Sequence, residues 1–423
     1  MYGAIFNSRD LGTGDYQIYK IDVNMPKNKV SKYELVQSDG QVVTSRFYGE
    51  RVVRVSGRIL ANTLNEMQSR LDTLKIWLDG YEKFLDIKIG DTDRRYVATV
   101  LNFNYNIKGY FCEWDIDFTC DSLASDSATT SLTMGTYTSS PTSYTNTIGG
   151  TYYAEPSFDL TVTRVLPYWT SKYIELKNAV RNERMRMTRT WLPGDRVIIN
   201  GKTKVAQIYA GTTQIVSDLD SIIGWTGTNG TLTLDNTNEI QGTGCADMNM
   251  ATAQLTTNIE RLNSGSYDLS SSAGKLYIPI FIPTPTSGVL PNEIRFMMGS
   301  DATFATNLLW YNITTQWDGS AITGNAWNYF VIDLSTTPSS TTGTPVRTAI
   351  KCLRLSLNFA SVSRLVSWKA DYIASIKTTT TLTPLDYEGS MPGLDIGSST
   401  IITSDELTTR NITMTGSYYK RYI

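Results

Sequence analysis

One stretch of the sequence combines a strand pattern, a helix pattern and a second strand pattern, and it limits what the rest of the chain can be. The helix pattern begins at Thr63, where Glu66 three residues later completes a capping box. Strand-like alternation precedes it from Arg51 and follows it up to Ile89. Its apolar residues recur at three- and four-residue spacing: Leu64, Met67, Leu71, Leu74 and Leu78. No other stretch is as clearly helical, so the sequence predicts a mainly β protein with one helix, 63–79, packed on a sheet.

Length and charge bound the number of domains and the kind of partner. A chain of 423 residues is too long for one ordinary β domain, so two or three domains are expected. The sequence has no apolar run of transmembrane length and no basic-then-apolar signal at its start, which predicts neither membrane insertion nor secretion by that route. The formal charge of −2 gives no general attraction to nucleic acid or to an acidic membrane surface.

The absence of histidine narrows the possible chemistry. It removes the commonest general base, nucleophile activator and zinc ligand, so only carboxylate-based chemistry remains. The four cysteines include no CxxC pair, which argues against a structural zinc site. Cys112 and Cys120 fall on the apolar face of one strand and are predicted to be buried thiols, whereas pairing of Cys245 with Cys352 is left open. The sequence therefore predicts no catalytic residue, cofactor or metal.

Two local charge clusters each allow a functional and a structural interpretation. The first is an acidic row on one strand, Glu113, Asp115 and Asp117. Paired carboxylates are what glycoside hydrolysis uses, but residues two apart on a strand are more often a solvated face, which we favour. The second is a basic cluster, Arg181, Arg184, Arg186 and Arg189. It fits either the solvent side of a strand, which we favour, or a surface for phosphate or an acidic subunit.

Changes in composition predict four segments. Residues 1–125 hold the helix and form the first β domain, and the Ser-, Thr- and Gly-rich residues 126–151 are predicted to be a linker arm. Residues 216–377 are sparse in charge, hold five of the nine tryptophans and carry short strands spaced as in a jelly-roll sandwich. They interrupt a β unit that starts at 152 and resumes after 377, so we interpret them as an inserted domain within a discontinuous domain, 152–215 plus 378–423.

Several motifs, taken in order, resemble the distal tail protein family of long-tailed, non-contractile bacteriophages. The resemblance covers 40–215 and 378–423 well, the first 40 residues poorly and the insert not at all. The stretches that carry it are Gly49–Ile59 before the helix, the hairpin strands Arg94–Val100 and Trp114–Cys120, Ala154–Leu160, Leu192–Gly201, Met391–Gly397 and the ending Tyr-Lys-Arg-Tyr-Ile.

This resemblance implies an architecture and a place in the virion. The N-terminal domain is expected to close a homo-hexameric ring at the distal end of the tail, and the discontinuous domain to form a galectin-like β-sandwich that projects outward. The ring joins the tail tube protein above to the tail hub or tip protein below, and genome DNA passes through its lumen without specific binding. A ring also buries sheet edges that would otherwise aggregate.

The insert more weakly resembles jelly-roll carbohydrate-binding modules. The grounds are Gly224-Trp225, Asn325–Leu334 and Asp371-Tyr-Ile. Because tryptophan faces stack on sugar rings, the candidates for binding host-surface polysaccharide are Trp310, Trp317 and Trp327, unless they are core residues. Two alternatives stay open: a tail-associated glycan-degrading enzyme using Asp301, Asp318 or Asp333, and a spacer that docks another tail protein.

Overall fold

The computed structural model describes residues 2–34 and 41–423, and the side chains of 2–30 and 48–423. Within these residues the protein is mainly β, with one α-helix and five sheets whose strands all pair antiparallel. Residues 35–40, inside the predicted 1–125 domain, lie outside the described residues. The predicted fold class is confirmed.

The N-terminal part forms one large sheet with the helix packed on it. Its elements are β1 Tyr2–Phe6, β2 Arg9–Asp10, β3 Tyr16–Val23, β4 Asn28–Glu34, β5 Gln41–Tyr48, β6 Arg51–Leu60, α1 Leu64–Leu78, β7 Lys83–Ile89, β8 Thr92–Lys108 and β9 Phe111–Cys120. The strand order is β2-β1-β7-β8-β9-β6-β3, while β4 and β5 pair as a separate hairpin. Gly57 is required in β6, since a Cβ there would lie 2.2 Å from Cζ2 of the buried Trp114.

The helix α1 is capped as predicted, but its buried face is one residue shorter. The Thr63 hydroxyl accepts a hydrogen bond from the Glu66 amide at 3.2 Å, and the Glu66 carboxylate accepts one from the Asn62 amide at 2.8 Å. The buried helical residues are Met67, Leu71, Leu74 and Leu78. The placement of Leu64 on this face is wrong, because its side chain is 60% exposed. Helical side chains tilt toward the N-terminus, so that of the first helical residue points past the helix end.

The next part of the chain contributes β10 to the N-terminal sheet and its other strands to two further sheets. They are β10 Ala124–Ser125, β11 Thr130–Leu132, β12 Thr136–Tyr137, β13 Thr142–Ile148, β14 Ser157–Leu166, β15 Ser171–Asn178, β16 Arg184–Thr190, β17 Arg196–Asn200 and β18 Val205–Ser217. The segment 126–151, predicted as a linker arm, holds three of these strands and buries Leu132, Tyr137 and Ile148. It is therefore part of the core, because short Ser and Thr side chains pair at sheet edges without a long apolar pattern.

Residues 225–384 form twelve strands, most of which belong to a second sandwich. They are β19 Trp225–Thr228, β20 Thr231–Asp235, β21 Cys245–Asn249, β22 Gln254–Arg261, β23 Lys275–Ile282, β24 Glu293–Gly299, β25 Leu308–Ile313, β26 Ala326–Asp333, β27 Ser340–Thr342, β28 Cys352–Ser363, β29 Trp368–Ala370 and β30 Ile373–Pro384. Two 3₁₀ turns lie at Ser271–Ala273 and Arg347–Ala349. The chain turns between β29 and β30 at Tyr372, whose φ is 41°.

The end of the chain returns to the earlier sheets. It forms β31 Glu388–Gly389, β32 Gly397–Asp405, β33 Thr409–Tyr418 and β34 Arg421–Tyr422. The main path of the twelve-stranded sheet is β11-β33-β14-β17-β18-β30-β23-β29-β21-β20, so it runs without a break from one sandwich into the other. The five-stranded sheet is β13-β32-β15-β16-β31, and the six-stranded sheet is β19-β22-β28-β24-β25-β27.

Three hydrophobic cores follow from these sheets. One lies between α1 and the N-terminal sheet. A second fills the scaffold sandwich, our name for β14, β17, β18 and β33 packed on the five-stranded sheet. The third fills the insert sandwich, β21, β23, β26 and β29 packed on the six-stranded sheet. All four cysteines are free and buried, so Cys245 and Cys352 form no bridge. The exact domain boundaries stay a prediction.

Candidate functional surfaces

The hairpin of β8 and β9 extends beyond the helix and leaves part of its apolar side uncovered. Phe103, Tyr105 and Ile107 lie opposite Ile116, Trp114 and Cys112, so they share the face on which α1 packs. Ile76 of α1 is 73% exposed and lines a surface cavity with Phe103. Tyr105 and Ile107 are exposed as well. We call Ile76, Phe103, Tyr105 and Ile107 the helix-side patch.

This patch belongs to a wider pattern in the described part of the chain. Exposed large apolar side chains number 15 in residues 2–125 and 13 in the much longer segment 126–423. A monomeric soluble protein rarely leaves apolar side chains in such contiguous groups. Among the side chains that the structure describes, exposed apolar groups are thus concentrated in residues 2–125.

The acidic row of β9 is engaged by cations and a hydroxyl from neighbouring strands. Arg54 donates to both carboxylate oxygens of Asp117, at 2.6 and 3.0 Å. Ser56 donates to Asp115, and Lys108 pairs with Glu113. The Arg54 guanidinium holds the pKa of the Asp117 carboxyl below its usual range. A glycosidase acid needs the opposite, a raised pKa, so the row lacks that feature of a hydrolytic pair.

The three other acidic candidates lie in separate parts of the insert sandwich. Asp301 follows β24, Asp318 lies between β25 and β26, and Asp333 ends β26. Hydrogen bonds from neighbouring side chains lower the pKa of each: Thr306 acts on Asp301, and Ser320 and Ser335 act on the other two. Each carboxylate is thus held in its charged form by its own loop.

The basic cluster on β16 and its preceding turn is largely neutralised by carboxylates. Arg186 pairs with Glu175 at 2.9 Å, and Arg181 pairs with both Glu183 and Asp395. Arg189 lies 3.6 Å from the buried carboxylate of Asp195. Three of the four arginines are therefore ion-paired, in keeping with the structural interpretation of the cluster.

The tryptophan candidates are half-buried and do not form one platform. Trp310, on β25, lies on the outer face of the six-stranded sheet. Trp327, on β26, lies on the other side of the insert sandwich, with its ring 5.9 Å from that of Phe281. Trp317, in the loop between those strands, stacks on Tyr329 at 5.7 Å. The structure brings Trp317 and Trp327 onto one face and separates them from Trp310.

An aromatic cluster joins the two sandwiches and covers the face on which Trp317 lies. Tyr168, from the scaffold sandwich, is 5.5 Å from Tyr277 and 6.0 Å from Tyr372, measured between ring centroids. Trp317 contacts Tyr277 at 6.1 Å, and its neighbour Asp318 pairs with Arg164 of β14 at 2.9 Å. We call Tyr168, Trp169, Tyr277, Trp317 and Tyr372 the aromatic junction. It covers the part of this face around Tyr277 and Tyr329.

Beside the junction lies an unusual buried acid, Asp371. One of its carboxylate oxygens accepts hydrogen bonds from the amides of Ile240 and Gln241, at 2.8 and 3.1 Å. The other oxygen is buried and has no partner among the described residues. Burial raises the pKa of Asp371 to about 7, because a buried carboxylate without a cation favours its protonated form.

The described residues give no sign of a metal site or a membrane span. Among 2–34 and 41–423, no three His, Cys, Asp or Glu side chains are grouped so that they could hold a metal ion. None of the helices formed by the same residues is long and apolar enough to cross a bilayer.

Comparison with known proteins gives structural matches only. No protein-family model matches the sequence, and no curated protein matches it. The Dit protein of phage SPP1, described as a paradigm of the hub adsorption apparatus in phages infecting Gram-positive bacteria, is 14% identical with a TM-score of 0.38, over 49% of this chain and 82% of that one. A chain of the phage p2 baseplate is 9% identical with a TM-score of 0.26, over 95% and 97%.

A second group of matches covers only part of the chain. A family 11 carbohydrate-binding module from Clostridium thermocellum, in complex with a mixed-linked β-1,3-1,4 tetrasaccharide, is 12% identical with a TM-score of 0.28, over 40% of this chain and 98% of that one. In structure, then, the chain matches a phage distal tail protein and a phage baseplate, and over part of its length it matches carbohydrate-binding modules.

Proposed function

We propose that this chain is a structural virion protein, a distal tail protein whose N-terminal sheet assembles into a homo-hexameric ring between the tail tube and the hub or tip proteins. The observation that carries the proposal is the concentration of exposed apolar side chains in residues 2–125, including the helix-side patch. Burial of such side chains against a neighbouring copy is favourable. In a closed ring every copy buries the same surface against its neighbours.

The insert sandwich is the accessory part of this proposal, a non-catalytic module that binds polysaccharide on the host surface. The support is its outward aromatic side chains together with acidic residues whose lowered pKa suits structural roles better than acid catalysis. Rigid attachment through the aromatic junction and a continuous sheet would hold such a module at a fixed angle to the ring.

Native mass spectrometry of the full chain tests the ring. We expect a six-copy species at micromolar protein concentration, and electron microscopy of the same sample should show rings with a central pore. A protein that stays monomeric at concentrations of tens of micromolar would contradict the proposal, since a surface of this apolar content has to be covered by some partner.

A further inference from the structure

We propose that the glycan-binding site of the insert sandwich is the outer face of its six-stranded sheet, with Trp310 as the stacking residue, and that this face takes a neutral rather than an anionic polysaccharide. The inference rests on the proposed glycan-binding function and adds to it a location and a ligand class.

The first step is that the scaffold sandwich does not cover this face. The outer face of the opposite sheet is covered near Tyr277 and Tyr329 by the aromatic junction. On the six-stranded sheet, by contrast, the contacts of the outward side chains stay within the insert sandwich. Arg295 bonds to Asn312, and Arg354 packs under the ring of Phe304 at 4.3 Å. No residue of the scaffold sandwich takes part in these contacts.

The second step is the order of side chains on this face. Residues directly opposite on neighbouring strands form rows across the sheet, about 4.8 Å apart from strand to strand. One row runs from Trp310 to Met297, Arg354 and Glu260. The next row runs from Asn312 to Arg295, Ser356 and Asn258. An apolar end beside a row of hydrogen-bonding groups suits an extended sugar chain, whose rings offer apolar faces and hydroxyl edges.

The third step is charge. Arg295 pairs with Glu293 at 3.0 Å, and Arg354 pairs with Glu260 at 2.6 Å, so each guanidinium on the face is already neutralised. A phosphate- or carboxylate-bearing polymer would have to displace a carboxylate from its arginine and would meet that carboxylate as a like charge. A neutral polymer meets neither cost.

The fourth step concerns a hydrogen-bond acceptor that has no donor. The side-chain carbonyl of Asn258 is buried on this face and has no hydrogen-bond partner among the described residues. A buried acceptor of this kind costs free energy until a donor reaches it. The Asn258 side chain would have to turn outward to meet a sugar hydroxyl, a donor that neutral and anionic polysaccharides both carry. The choice between these two ligand classes therefore rests on the charge pattern.

Affinity electrophoresis of the full protein tests the proposal. The probes are a soluble β-glucan, a galactan and a mannan as neutral polymers, and hyaluronan and poly(glycerol phosphate) as anionic ones. We expect at least one neutral polymer to retard the protein, equally at about 0.05 M and about 0.5 M NaCl, because no net charge is screened. We expect neither anionic polymer to do so.

Variants locate the site. Trp310→Ala should weaken retardation by roughly tenfold or more, as expected for loss of an aromatic stacking contact. Asn312→Ala, at an exposed position that leaves the core intact, should weaken it by about two- to tenfold. Trp327→Ala, on the opposite side of the insert sandwich, is the matched control and should leave retardation unchanged.

The possible failures are distinguishable. Salt-sensitive retardation by the anionic polymers alone would overturn the ligand class, and loss of binding in Trp327→Ala but not in Trp310→Ala would overturn the location. Either result leaves the insert a glycan-binding module. Retardation by none of the five polymers would count against glycan binding itself, and with it against this inference.

Discussion

The helix-side patch and the outer face of the six-stranded sheet are both open surfaces of β-sheets, yet they differ in almost every chemical respect. On the patch, Ile76, Tyr105 and Ile107 are exposed, and the one charged group that the described residues place against its rings is the Lys75 ammonium, 5.3 Å from the centroid of Tyr105. On the outer face, arginines, glutamates and asparagines are bonded to one another, with Trp310 at one end. Removing water from the patch is favourable because its side chains are apolar. The polar groups of the outer face can instead replace their hydrogen bonds to water with hydrogen bonds to hydroxyl groups.

This difference indicates two kinds of partner within one chain. Protein interfaces have apolar cores that are poor in charge, which matches the patch. A ligand rich in hydroxyls needs donors and acceptors already oriented, which matches the bonded rows of the outer face. A substitution in the patch should therefore disturb assembly, whereas a substitution in a core should disturb folding.

The largest effect is expected from a charge placed in the patch. Ile76→Glu should weaken ring assembly by at least about a hundredfold, because a buried carboxylate without a partner is costly. The free energy of unfolding of the monomer should change little, since the side chain is exposed there. Native mass spectrometry measures the first quantity and denaturant titration the second.

The matched control for this substitution lies in the insert sandwich. Leu255 is exposed to a similar degree, on β22, and Leu255→Glu introduces the same charge. We expect its rings to be as stable as those of the unmodified protein. If both variants assemble alike, the patch is not the contact between copies.

The next effect separates the two ends of α1. Leu71 is fully buried under the helix, and Leu71→Ala should lower the free energy of unfolding of the N-terminal unit by about 2 to 5 kcal/mol. Leu64→Ala makes the same chemical change at an exposed position and should cost less than about 0.5 kcal/mol. Urea denaturation followed by Trp fluorescence compares them, and equal losses would contradict the buried face seen here.

The pair Leu64 and Leu71 also shows how far sequence reasoning reaches. Periodicity identified the helix and its face, because spacing of apolar residues is a local property. It could not show that the side chain of Leu64, the first helical residue, points past the end of the helix and stays exposed.

Contacts between distant strands were the least predictable part. Composition predicts a linker arm for the Ser- and Thr-rich segment 126–151, yet its strands pair with β32 and β33, far away in sequence. The tryptophans were recognised as candidates, but residue type alone does not say on which side of a sandwich each lies. The rows beside Trp310 combine four strands, and no local pattern in the sequence shows that Arg354 and Glu260 meet.

The smallest effect is expected at the aromatic junction. The junction is an apolar surface that is already covered, as the helix-side patch would be once a neighbouring copy is bound. Asp371 beside it has a pKa of about 7, above its value of about 3.9 in an unfolded chain. Between those two values the folded protein keeps a proton that the unfolded chain has lost, so stability falls as pH rises from about 4 to about 7. Asp371→Asn cannot ionise and should remove that contribution.

We compare the free energy of unfolding of Asp371→Asn with that of the unmodified protein at each pH. We expect this difference to shift in favour of the variant by on the order of 1 to 3 kcal/mol from pH 4 to pH 8. Urea titrations of both proteins at the two pH values measure this difference. Asp247→Asn is a suitable control, since that carboxylate lies near the Lys369 ammonium at 3.5 Å rather than without a cation. A constant difference between Asp371→Asn and the unmodified protein would mean that the acid is ionised in the fold, and that water or a cation reaches the junction.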